Sequence, residues 1–247
     1  MPNLVIDIGN TFTKVAVFEN SDLLKVEQYQ QPTSQDINGF LSEYEINGVI
    51  ISSVKTDKQP WQTQLEGGFS VVQFNSSITA GINNRYRSPK TLGADRFAAV
   101  IGANYLFPNT NNIIISGGTC ITYDFVDDQA NYFGGSISPG LNMRYKAVNH
   151  YTAALPLVKP DEDFSAAYGD DTISAIRSGV QNGVKYELQG FINEYVKTTQ
   201  EYNIILSGGD SIFFDTLLKN SIFAPYIKIE PYLVLKGLNA AIQKHND

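Results

Sequence analysis

The chain has 247 residues, 43% of them hydrophobic and 17% charged, with a formal net charge of −7. That length holds one large or two small domains with ample core, and no run approaches the roughly 20 apolar residues of a membrane span. A single cysteine, Cys120, excludes a disulfide framework, His150 and His245 cannot supply the usual zinc spacings, and the negative balance argues for small-molecule partners over nucleic acid.

The N-terminal stretch reaches Asp7 without the basic and apolar regions of a signal peptide, so a cytoplasmic location is expected. Leu4 to Ile8, Lys14 to Phe18 and Leu23 to Tyr29 are apolar or alternating and predict three strands. Gly9-Asn10-Thr11 predicts a hairpin turn between the first two, because glycine and asparagine tolerate positive φ. Ser34 is a candidate cap for a helix carrying Ile37, Phe40 and Leu41, and Val49-Ile50-Ile51 follows as a buried strand. Thr91 is a candidate cap for a helix to Phe107, with Leu92, Phe97, Val100, Ile101 and Leu106 near a helical period.

Pro108-Asn109-Thr110-Asn111-Asn112 reads as a loop and domain boundary. Beyond it the opening pattern returns as a strand at Ile113-Ile114-Ile115, a turn at Ser116-Gly117-Gly118-Thr119 and a strand from Ile121 to Val126. A third strand, about Asn131 to Ser138, leads to Pro139, which suits the first turn of a helix to about Ala154. A long helix from about Asp171 to Lys197 carries Ile173, Ile176, Val180, Leu188, Ile192 and Tyr195. Then come a strand at Ile204-Ile205-Leu206-Ser207, another glycine turn at Gly208-Gly209-Asp210 and a short helix from Ser211. The recurrence of strand, glycine turn and strand predicts an α/β protein of two similar domains, 1–111 and 112–247, facing a central cleft.

Repeated glycine turns also suit phosphate. A nucleoside triphosphate needs backbone N–H groups on a close turn, a cation, and carboxylates for magnesium, and Asp7, Gly9 to Thr11 and Lys14 supply these. No P-loop string or dinucleotide-binding glycine fingerprint is present, so the phosphate site is expected at a hairpin.

Several motifs stand in a fixed order over about residues 5 to 211. They are Asp7-Ile8-Gly9-Asn10-Thr11-Phe12-Thr13-Lys14; Tyr86, Pro89 and Leu92 ahead of Gly93-Ala94-Asp95-Arg96; Gly118-Thr119-Cys120-Ile121-Thr122-Tyr123-Asp124; Gly134-Gly135 to Pro139-Gly140; and Thr172 to Gly179. This set resembles the type III pantothenate kinases, within the superfamily of acetate and sugar kinases, actin and heat-shock ATPases. The resemblance implies two ribonuclease H-like (actin-like ATPase) domains and ATP-dependent phosphorylation of pantothenate to 4′-phosphopantothenate, the first step of coenzyme A biosynthesis. It also implies a homodimer whose pantothenate site is completed near the subunit interface. The alternatives are a family relative acting as a non-catalytic regulatory accessory protein, against which the intact Asp7, Lys14, Asp95 and Arg96 argue, and a kinase of another small alcohol.

By the same resemblance Asp95 is the general base for the primary hydroxyl of pantothenate, a role that suits a carboxylate within reach of an alcohol. Arg96 binds or orients the pantothenate carboxylate end, and Gly93, Ala94, Tyr86 and Thr172 complete the implied substrate contacts. Asp7 acts through magnesium and its waters; Gly9, Asn10, Thr11, Lys14, Gly118 and Thr119 meet ATP and its phosphates. Asp124 is either a second carboxylate on the cation side or a strand-end residue capping a turn. The family carries an aspartate two residues before the second Gly-Thr, as ligand to an activating monovalent cation such as potassium or ammonium. Here Ser116 stands in its place, a weaker neutral ligand that implies a weakened or absent site. Cys120 is expected to be buried and inert, and His150 and His245 to be packing or surface residues.

Overall fold

The computed structural model describes residues 2–55, 57–197, 199 and 201–246. The chain divides into two compact units, the first comprising Met1–Asn109, Asp128–Phe133 and Tyr232–Asp247, the second Thr110–Asp127 and Gly134–Pro231.

In the first unit, β1 (Asn3–Ile8), β2 (Thr13–Glu19) and β3 (Asp22–Tyr29) form an antiparallel meander. Helix α1 (Ser34–Leu41) then carries the chain to β4 (Gly48–Ser53), which lies parallel to β1, and α2 (Pro60–Gly68) leads to β5 (Val71–Gln73). The sheet order is β3-β2-β1-β4-β5. Leu4, Ile6 and Ile8 pack with Val15, Val17, Val49 and Ile51 against Ile37, Phe40, Trp61 and Leu65 of the two helices. β1 is covered on both faces, because Val5, which shares its face with Asn3 and Asp7, is as fully buried as Leu4 and Ile6 on the other. A short β6 (Asn83–Asn84) and a single 3₁₀ turn precede α3 (Ala94–Leu106).

The second unit repeats the plan. β7 (Asn111–Gly117), β8 (Cys120–Val126) and β9 (Asn131–Pro139) are followed by α4 (Leu141–His150). Next comes a long helix in three parts: α5 (Thr172–Arg177), a π-helical turn Ser178–Asn182 and α6 (Gly183–Val196). β10 (Tyr202–Gly208), parallel to β7, α7 (Ser211–Leu218) and β11 (Ile227–Ile229) complete it, in the order β11-β10-β7-β8-β9, and β6 of the first unit pairs with Asn131 and Tyr132 at the start of β9, which belong to that unit too. Ile113, Ile115, Ile204 and Leu206 bury against Val184, Leu188 and Ile192 of α6 and Phe214 of α7.

The last helix, α8 (Leu233–Asn246), returns to the first unit and crosses α3 at backbone distance. A Cβ built on Gly237 would stand 1.8 Å from the Ala98 carbonyl oxygen. Gly237→Ala is therefore expected to force the helices apart, at a cost of about 1–3 kcal/mol and a Tm lower by several degrees. Thermal unfolding monitored by circular dichroism checks this, and an unchanged Tm would show that the pair accommodates the methyl group.

Four local expectations are corrected. Helix α1 is capped by Thr33, not Ser34, because Thr33 and Asp36 form a reciprocal capping box. Thr91 lies in the 3₁₀ turn with its hydroxyl donated to the Ser88 carbonyl, and Gly93 caps α3. Pro139 ends β9 and Gly140 caps α4, which stops at His150. Neither Gly9 nor Asn10 adopts positive φ; the hairpin closes when Gly9 N–H donates to the Phe12 carbonyl at 2.9 Å.

Candidate active site

In the first unit the parallel and antiparallel registers put three polar residues in one row near the ends of their strands. Asp7 of β1 stands opposite Lys14 of β2 and Ser52 of β4. Side chains directly opposite each other lie on one face of a sheet, so Lys14 and Ser52 flank the carboxylate. The Asp7 Oδ1 and Ser52 Oγ atoms are closed off from water, and neither has a hydrogen-bond partner. Burial pushes the Asp7 carboxyl up to about 6; the negative charge of Asp95 adds to the effect, while Lys14 opposes it. Ser52 also lowers it, from a position that completes no hydrogen bond of normal geometry. Beyond β1, Asn10 and Thr11 stand exposed at the tip of the turn, with Gly9 half-buried at its base.

Asp95 is the second residue of α3. Its Oδ1 accepts from the Arg96 backbone N–H at 2.8 Å, which turns the carboxylate back over the helix start. A Cβ on Gly93 would come within 2.7 Å of that oxygen, so glycine there makes room for the carboxylate. Arg96 is only 6% exposed, and its guanidinium carbon lies 5.8 Å from the centroid of the Tyr86 ring. Tyr86 in turn stacks on the buried Tyr132, with ring centroids 6.1 Å apart. Asp7, Lys14, Asp95, Arg96 and Tyr86 thus form one neighbourhood, with Gly93 and Ala94 as its backbone.

In the second unit the glycine turns meet. A Cβ on Gly140 would stand 2.2 Å from the Gly118 carbonyl oxygen, and one on Gly208, whose φ is +80°, 2.2 Å from that of Gly117. Gly140 N–H donates to the Thr119 carbonyl at 3.1 Å. Gly118 and Thr119 themselves are exposed. Ser116 is in register with Ser207 of β10, and both hydroxyl oxygens are buried without a partner. Asp124 is 1% exposed and lies within β8 opposite Ile114, which removes the reading of it as a strand-end turn cap. Cys120 is half-buried at the start of β8, short of the full burial expected.

Thr172 is the exposed first residue of α5, which Asp171 caps by accepting from Ser174 N–H at 2.7 Å. It lines a cavity of about 660 Å³ together with Arg144, Val148, Leu155, Ile176 and Val180. Helix α4, capped by Gly140 at the glycine turns, carries Arg144 and Val148 of the cavity wall.

Sequence reasoning missed Ser52, Ser207 and Arg144. The first two are marked only by strand register, which no local pattern reveals, and Arg144 only by the cavity it faces.

A divalent ion fits the first unit. A buried, unpartnered carboxylate oxygen beside a second carboxylate suits magnesium, which is held by one or two carboxylates plus substrate phosphates and waters. Among the described residues no group of three or more histidine, cysteine or acidic side chains forms a complete metal cage. No described helix is long and apolar enough to cross a membrane.

The family model for type III pantothenate kinases matches residues 3–194. A type III pantothenate kinase of Phocaeicola vulgatus is 40% identical over 246 residues, 99% of each chain. One of Flavobacterium johnsoniae is 41% identical over 223 residues, 90% of this chain and 91% of its own. Among solved structures, the (R)-2-hydroxyglutaryl-CoA dehydratase component A of Acidaminococcus fermentans superposes with a TM-score of 0.56 at 14% identity, covering 100% of both chains. The activator of 2-hydroxyisocaproyl-CoA dehydratase from Clostridium difficile, solved with bound ADPNP, gives 0.57 at 12% identity, over 100% of this chain and 97% of its own. These two likenesses concern the fold alone, and they agree with two repeated α/β units of ribonuclease H-like fold.

Proposed function

The chain belongs to the type III pantothenate kinase family and is an ATP-dependent kinase of pantothenate on the route to coenzyme A, and we propose that Asp95 is the base on which its reaction turns. The observation that carries this reading is the placement of the Asp95 carboxylate. It is fixed at the start of α3 by the Arg96 N–H, next to the buried Asp7 on one side and the Arg96–Tyr86 pair on the other.

The primary hydroxyl of pantothenate is a poor nucleophile while it keeps its proton. As its oxygen forms a bond to the γ-phosphorus of ATP and the bond to the β-phosphate oxygen breaks, Asp95 takes the proton, and ADP and 4′-phosphopantothenate result. Asp7 would hold magnesium, which when bound would supply positive charge against that building on the phosphate oxygens. Lys14 opposes the same charge from β2. The turns at Gly9, Asn10 and Thr11 and at Gly118 and Thr119 contact the phosphates and nucleotide. Gly93, Ala94, Tyr86 and Thr172 hold pantothenate, and Arg96 orients it beside Asp95. We place the reaction in a cytoplasmic homodimer.

Ser116 and Ser207 offer neutral hydroxyl oxygens to a monovalent cation, and their orphaned state fits at most weak coordination of potassium or ammonium. Ser116→Asp is expected to steepen the response of turnover to potassium relative to sodium. A wild-type enzyme already as potassium-dependent as the variant would show that other ligands suffice.

The substrate assignment is tested by ATP consumption over a panel of pantothenate, glucose, N-acetylmannosamine and glycerol. Consumption with pantothenate alone is expected, and equal or greater consumption with one of the sugars would overturn it.

A further inference from the structure

Helix α6 buries Val184, Leu188 and Ile192 in the core of the second unit and packs Phe191 against it. Glu187 stands three residues after Val184 and four before Phe191, on a side of the helix where a packing stripe would carry an apolar residue. A carboxylate there is unfavourable unless donors reach it. Three do. Its Oε1 accepts from the Tyr123 hydroxyl at 2.7 Å and from the Ser138 hydroxyl, and its Oε2 accepts from Arg144 Nη2. Burial works to raise the carboxyl, but these hydrogen bonds outweigh burial and hold it below the usual range.

Two of the donors flank one backbone junction. Ser138 and Pro139 end β9, Gly140 caps α4, and Arg144 lies in the first turn of that helix. Arg144 Nε donates to the Pro139 carbonyl at 2.8 Å, and its Nη2 reaches Ser138 Oγ at 3.3 Å as well as Glu187. The Glu187 carboxylate therefore holds the chain on both sides of Gly140. Gly140 itself is in backbone contact with the second phosphate turn: its N–H donates to the Thr119 carbonyl at 3.1 Å, and a Cβ there would stand 2.2 Å from the Gly118 carbonyl oxygen. Having no side chain, Gly140 takes its position from its neighbours. All of these residues lie in the second unit.

A partly buried ion pair adds little net stability, because desolvation offsets the attraction and an apolar residue of similar volume often serves as well. What a planar fork and a carboxylate add is a single geometry. Resting on the reading that Gly118 and Thr119 meet the nucleotide, we infer that Glu187 is a positioning residue for ATP. Through Ser138 and Arg144 it holds the Pro139–Gly140 junction against the Gly118–Thr119 turn, and so keeps that turn in the form that receives ATP.

The test measures binding of magnesium ADPNP, a non-hydrolysable ATP analogue, by isothermal titration, together with KM for ATP and for pantothenate. It is run on wild type, Glu187→Gln, Glu187→Leu and Gly118→Leu, with a Tm for each. Leucine at position 187 continues the apolar stripe, whereas glutamine keeps an oxygen for Tyr123 and Ser138 but offers Arg144 no charge. Glu187→Leu is expected to weaken ADPNP binding and raise KM for ATP ~10- to 100-fold, and Glu187→Gln ~3- to 10-fold, while KM for pantothenate changes less than ~3-fold in both. A loss that falls equally on ATP and pantothenate would make Glu187 a packing residue and overturn the inference, as would wild-type ADPNP affinity in both variants. Gly118→Leu separates the two ways of failing. A Cβ on Gly118 meets nothing within 4 Å, so the fold accepts the side chain while a nucleotide on the turn would not. If Gly118→Leu binds ADPNP as wild type does, the nucleotide reading of the turn fails, and the Glu187 inference with it; if it loses binding while both Glu187 variants keep theirs, only the inference fails.

Discussion

Replacing Asp95 by asparagine should lower turnover ~10²- to 10⁴-fold, the range typical of a lost general base, while pantothenate and ATP still bind within a few-fold of wild type. The separation follows from the local geometry. Asparagine keeps the side-chain oxygen that accepts from Arg96 N–H, so α3 keeps its start and the Arg96–Tyr86 pair its place. What disappears is the capacity to take a proton, together with the negative charge that bears on Asp7. Rapid-quench single turnovers give the chemical step and isothermal titration gives binding. An Asp95→Asn enzyme with wild-type single-turnover rates would remove Asp95 from the chemistry, and one that fails to bind pantothenate would make it a substrate-holding residue.

Asp7→Asn should abolish activity and yet stabilise the nucleotide-free protein at neutral pH. In the native state Asp7 titrates near 6, against an ordinary value of 3.8, chiefly because it is buried. Between those two values the folded chain holds a proton that the unfolded chain has released, so stability falls as pH rises through the window. Above it the full penalty is present, on the order of 2–3 kcal/mol. Asparagine carries no charge to bury, so its advantage is expected at pH 7 to 8 and should vanish below about pH 4, where the wild-type carboxyl is also neutral. Magnesium with ATP should then raise the Tm of the wild type more than that of the variant. Thermal unfolding from pH 4 to 8 checks the sign, and a variant less stable than wild type at pH 8 would show that Asp7 makes native contacts stronger than its burial penalty.

The strands flanking the glycine turns were legible because each carries an apolar run bounded by turn residues, as Leu4 to Ile8 and Ile113 to Ile115 do. The helix ends were less so. Thr33 and Ser34 are equally good caps on local chemistry, and only the reach of Asp36 back to Thr33 decides between them. Pro139 suits a helix start, but the approach of Gly140 to Gly118 sets the boundary from outside the segment. The linear division at residue 111 could not anticipate α8, since the crossing at Gly237 depends on a partner helix more than a hundred residues earlier. At the site, Asp7, Lys14, Asp95 and Arg96 stand in motifs and were readable. Ser52 and Ser207 were not, because they gain meaning only from the residues across the sheet, and Arg144 gains its own only when its fork ties Glu187 to the Pro139 carbonyl.

The most direct test is ADP release by the purified protein with magnesium and ATP, measured with and without pantothenate in potassium and in sodium buffer. Release that requires pantothenate, with 4′-phosphopantothenate recovered in equal amount and only a modest difference between the two buffers, is the expected result. ADP release that proceeds equally without pantothenate, or no phosphorylated product in either buffer, would contradict it.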